Sequence, residues 1–122
     1  MIKRPFEQVE SEIRQEKAET LGRLGERLER ALLEIEALRQ EILSQAETVR
    51  HGTVGEGERT TVELDKRLAE HAGLCSKAGQ LRFSLIIQRE AVGLWRHEDV
   101  DRQYPMPGRL SNPIVKPHGA ER

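Results

Sequence analysis

Residues 21–50 read LGRLGERLERALLEIEALRQEILSQAETVR. Leu21, Leu28, Ile35, Ile42 and Val49 recur every seven residues, and Leu24, Ala31 and Leu38 form a second row between them. Gln45 continues that second row as its one polar member. Two apolar positions per heptad put both rows on one face of an α-helix, the pattern of a coiled-coil seam. Leu32, Leu33 and Leu43 lie beside the seam and make the apolar face wider than one partner helix covers. Upstream, Phe6, Val9 and Ile13 continue the stripe after a phase slip. No proline or turn cluster interrupts this stretch, so the spacing predicts one helix over about 6–50, roughly 67 Å long.

The pattern breaks at His51-Gly52-Thr53-Val54-Gly55-Glu56-Gly57-Glu58. Its three glycines tolerate left-handed backbone and predict a turn over about 51–60. Thr60 or Thr61 offers an N-cap hydroxyl, and Glu63 follows Thr60 at the capping-box spacing. A second helix is then expected from about 61 to about 99. Leu64, Leu68, His71, Cys75 and Ala78 keep a four-three rhythm, which slips by one residue and continues as Leu81, Leu85, Gln88, Val92 and Trp95. Gly73, Gly79 and Gly93 fall inside it, each costing about 1 kcal/mol against alanine. Close approach of a neighbouring backbone is the expected reason for them.

A connection this short returns the chain antiparallel. Centring the turn near Gly55 places Leu68 beside Ile42, Cys75 beside Ile35, and Leu85 beside Leu24 and Gly25. The expected fold is therefore all-α: a long, coiled-coil-like antiparallel two-helix hairpin over 1–103, dimerising into a four-helix bundle. A tail over 104–122 holds four of the five prolines, which forbid helix. Its first residues, Tyr104-Pro105-Met106-Pro107, reach Phe6 in the hairpin register. They are expected to fold back over, or to reach across a dimer and cover, an open end formed by Phe6, Val9 and Trp95, with flexible chain from Ser111 onward.

Charged residues make up 34% of the chain and aromatics 3%, with a net charge of −1, so no global field favours nucleic acid or an acidic membrane. Cys75 is the single cysteine and leaves no internal disulfide. With no apolar run long enough to span a bilayer, a cytoplasmic location is expected. Arg82, Arg89 and Arg96 are spaced by seven. Such a row could bind phosphate, but Glu12, Glu16, Glu19, Glu26 and Glu29 fall within reach on helix one, so interhelical ion pairs are expected instead.

Little in the sequence carries chemistry. His71 and Cys75 share a helical face, but zinc needs three or four ligands, and Glu70 and Asp65 do not complete a set. His97 and Asp101 are spaced as a hydrogen-bonded pair without a nucleophile or pocket former. No catalytic, cofactor-binding or metal residue is assigned. Residues 81–95 are the most apolar in the chain. One partner helix would leave Phe83, Ile86, Ile87 and Leu94 wet, and such patches mark interfaces. Phe83, Ile86, Ile87, Leu94, Trp95 and Tyr104 are thus the candidate interaction residues. A homodimer core is the first expectation for this surface. A docking face for another protein, through helix two or the tail, is the second. The function expected is a non-enzymatic interaction, scaffold or adaptor role. The alternative is a regulator inserting the acidic tip (Glu56, Glu58, Glu63, Asp65) into a larger machine such as a polymerase. A small metal-binding protein or enzyme is the third.

Overall fold

The computed structural model describes residues 5–51, 57–108 and 110. Among these there are three helices and no strands: α1 (Pro5–His51), α2 (Gly57–Ala91) and α3 (His97–Gln103). α1 and α2 pack against each other as the hairpin that the heptad rows predict. The expected register holds. It sets residue 65 opposite Gln45, and Gln45 bonds the residues on either side of that position. Arg67 donates to its Oε1 at 2.8 Å, and its own Nε2 donates to Glu63 at 3.3 Å.

The seam residues form the core. A larger cluster holds Leu28, Ala31 and Ile35 from α1 with Ala78, Leu81, Leu85 and Ile86 from α2, and it also includes Val100. A smaller cluster nearer the turn holds Leu38, Ile42, Ala46 and Leu64, and Leu74 packs against both. On the solvent side of α1, pairs one turn apart such as Arg14–Glu10 and Gln40–Glu36 support the helix surface.

Four expectations about the backbone need correction. α2 begins at Gly57, so Thr60 is inside the helix and not its N-cap. Residues 52–56 lie outside the described residues. α2 also ends at Ala91, not near 99. Gly93 has φ +86, the left-handed conformation that glycine adopts without a Cβ penalty. Leu94 N–H donates to the Arg89 carbonyl at 2.8 Å and Gly93 N–H to the Glu90 carbonyl at 3.0 Å. That bond pair is a Schellman ending, which satisfies the last carbonyls and turns the chain away. Gly73 and Gly79 are not close-approach glycines, because a Cβ at either would meet nothing within 4 Å.

The fourth correction concerns the tail. After the Gly93 turn the chain doubles back as α3, opened by Glu98 and Asp99 and closed by Arg102, charges suited to the helix dipole. Val100, 1% exposed, is its one buried residue. Tyr104 and Met106 then pack on the larger core cluster and Leu110 on the smaller one. The tail therefore runs along the hairpin toward its turn as a strap. It does not cover the open end: Phe6, Val9 and Trp95 are all exposed, Phe6 at 74%. The continuation from Ser111 lies outside the described residues.

Candidate interaction surfaces

The seat of the strap is a bare patch of helix. A Cβ on Gly25 would lie 2.6 Å from Tyr104 Oη and 3.5 Å from its Cζ. Gly25 itself is buried. The close approach that the sequence suggested for other glycines, there by a neighbouring backbone, is made here by a side chain. Glu29, Leu32 and Leu33 line a cleft beside the ring, so the strap accounts for the part of the apolar width of α1 that Leu32 supplies. Leu32 is half-buried there, while Leu33 stays exposed.

The arginine row anchors the strap, and not through α1. Arg82 bonds one Asp101 carboxylate oxygen through Nη2 at 2.7 Å and through Nε at 2.9 Å. Arg89 reaches Asp99 at 3.9 Å and Arg96 reaches Glu98 at 3.8 Å. The helix-one glutamates expected as partners are replaced by α3 acids: α3 folds back over the flank of α2 that carries Arg82 and Arg89, while Arg96 is at the start of α3 itself and its contact with Glu98 is local. These pairs are partly solvated, so each contributes at most about 1 kcal/mol and mainly sets orientation.

The groups that could carry chemistry are dispersed. His71 is 1% exposed, with Nδ1 3.7 Å from Cys75 Sγ and no partner for Nε2 among the described residues. No group of three metal-ligating side chains occurs among the described residues. The expected His97–Asp101 pair does not form. Asp101 is held by Arg82, and His97 Nε2 lies 3.9 Å from Glu90. At the other end, Glu63 accepts from Gln45, and Glu56 lies outside the described residues.

Apolar exposure is the clearer signal. Of the six interaction candidates, Ile86 is buried in the core cluster that includes Val100, contrary to expectation, and Tyr104 is half-buried in its seat. Phe83, Ile87, Leu94 and Trp95 remain exposed, Phe83 at 64% and Trp95 at 66%. Phe83 and Ile87 are one turn apart and share a face of α2. Phe6, Val9 and Ile13, which the spacing places on the apolar stripe, are exposed on a part of α1 that α2 does not reach, because α2 ends at the Gly93 turn. No helix among the described residues is long and apolar enough to cross a membrane. No family model, no curated protein and no solved structure matches this chain.

Proposed function

We propose that this chain is a non-enzymatic adaptor whose hairpin presents the outer face at the C-terminal end of α2 to another protein. Phe83 and Ile87 form the centre of that face, and Leu94 and Trp95 extend it past the Gly93 turn. The observation that carries this reading is their exposure beside a surface the chain does cover. α3 and the strap bury Ile86 and Val100 and leave the adjoining large side chains wet. Large aromatic and aliphatic side chains on a rigid support are the groups that anchor protein interfaces. The α1–α2 seam itself is read as coiled-coil-like. A cytoplasmic setting belongs to the same reading, since a single cysteine makes no demand on an oxidising compartment.

The test is a comparison of native protein with a Phe83→Ser, Ile87→Ser, Trp95→Ser variant as bait in cell extract. All three side chains are exposed, so helix content and melting should stay near native. A partner held by the native chain should be lost from the variant. If both baits retain the same proteins, this face is not the docking surface.

A further inference from the structure

Residues 5–16 of α1 are exposed without exception. The hairpin register assigns them a neighbour within the chain. Gln45 stands between Glu63 and Arg67, so the same register sets residue 92 opposite Ala18 and residue 103 opposite Glu7. Where α2 stops, the structure agrees: Ala91 and Val92 share a cleft of about 470 Å³ with Arg14, Lys17, Ala18 and Leu21. Helix continued over 92–103 would add about 18 Å to α2, the length of the exposed stretch of α1.

Nothing in 92–103 forbids that helix. The chain has no proline between Pro5 and Pro105, and Val92 and Trp95 keep the rhythm of Leu85 and Gln88. His97–Gln103 is already helical. The break turns on Gly93, the only described residue with a positive φ. Glycine adopts that conformation and the helical one alike. The break also leaves Val92, Leu94 and Trp95 at 37%, 44% and 66% exposure.

Charge works against the straight helix. Residues 5–17 carry Glu7, Glu10, Glu12 and Glu16 against Arg14 and Lys17, and residues 96–103 carry Glu98, Asp99 and Asp101 against Arg96 and Arg102, with His97 between. Laid side by side in this register, Glu98 comes opposite Glu12 and Arg96 opposite Arg14. Folded back, Asp101 has Arg82 and Asp99 has Arg89. Charge thus favours the folded-back form, whereas the bare apolar groups on both sides of the Gly93 turn favour the straight one.

We propose that Gly93 is a hinge and that residues 92–103 have two seats. One is the folded-back seat described above. In the other, less populated, α2 runs unbroken to Gln103 and lays Val92 on Ala18 and Trp95 beside Ile13. Asp99 then takes the next place on the row as a polar member, and Tyr104 arrives at Phe6. The strap leaves Gly25 and Leu32 in this form. The hinge stands apart from the docking reading, although it moves Trp95 from the outer face of α2 to α1.

Chemical-exchange saturation-transfer NMR on the native chain tests the idea. A minor form should exchange with the major one at residues 92–103 and at Ile13, with helical carbon shifts at 93–96. A Gly93→Ala, Asp101→Asn variant should make that form dominant, because alanine is strained at φ +86 and favours helix, and the Arg82 pair is gone. Its Trp95 emission should move to shorter wavelength, with contacts to the Ile13 methyls gained and those of Tyr104 to Leu32 lost. Adding Ile13→Ser should return the emission toward the native wavelength. A native chain without exchange at these residues overturns the proposal. So does a variant in which Tyr104 leaves Leu32 while Trp95 stays exposed, or one that keeps the native contacts.

Discussion

Leu64→Ala should lower stability by about 2–5 kcal/mol, the largest loss expected from any single truncation near the turn. Leu64 is 0% exposed and, among the described residues, packs with buried Leu38, Ile42 and Ala46 and half-buried Leu68, Leu74 and Leu110. Removing its side chain leaves a cavity among them, and that cost adds to the lost burial. Leu85→Ala, 4% exposed in the larger cluster, should cost a comparable amount. In a chain of this size that is a drop of roughly 4–8 °C in Tm per kcal/mol. Val62→Ala is the control. Val62 lies on the same helix two residues away and is 55% exposed, so its truncation should stay within about 0.5 kcal/mol. Equal shifts for Leu64→Ala and Val62→Ala would show that the seam is misplaced.

Gly25 and Tyr104 should be energetically coupled by about 1–2 kcal/mol, as expected for side chains in direct contact. Alanine in place of an interior helix glycine ordinarily stabilises by about 1 kcal/mol. Gly73→Ala should do so, because nothing lies within 4 Å of the new methyl. Gly25→Ala should not, because the methyl would meet Tyr104 Oη at 2.6 Å and push the ring from its seat. Removing that oxygen removes the obstacle, and the ring carbon behind it stands at an ordinary 3.5 Å. In a Tyr104→Phe background Gly25→Ala should therefore recover the usual helix gain. Chemical denaturation of the four proteins in the cycle measures the coupling. Additive effects would mean that the ring does not rest on Gly25.

The hairpin was legible because apolar periodicity is a direct imprint of helix packing. Leu28, Ile35 and Ile42 are buried where the seven-residue spacing puts them, and Gln45 confirms the register. The strap was legible only as a tendency to dock. Proline-rich chain beginning with the sole tyrosine pointed to a cover, but its destination depends on where α2 stops. Gly93 resembles Gly73 and Gly79 in sequence, yet only Gly93 carries a positive φ. The readable cue was the context. Leu94 follows Gly93 as the apolar residue of a helix ending, and Glu98-Asp99 then supply the acidic start of another helix. Extending helix two to 99 carried Tyr104 to Phe6 and sent Arg82, Arg89 and Arg96 to the wrong carboxylates. Gly25 had no cue of its own, since a glycine in a helix looks the same whether a ring rests on it or water does. The exposed candidates fared by geometry in the same way. Phe83, Ile87, Leu94 and Trp95 are wet because they lie off the seam, whereas Ile86 shares the α2 flank that α3 folds onto.

The position of the strap is the point on which the proposed surface depends, for it packs on the core clusters and leaves the outer α2 face bare. Tyr104 is the only tyrosine, so its ring protons are identifiable without ambiguity in an NMR spectrum. A nuclear Overhauser experiment on the native chain should connect those protons to the Gly25 α-protons and the Leu32 methyls. Cross-peaks to the Phe6 or Trp95 rings instead, or none to α1 at all, would contradict the account.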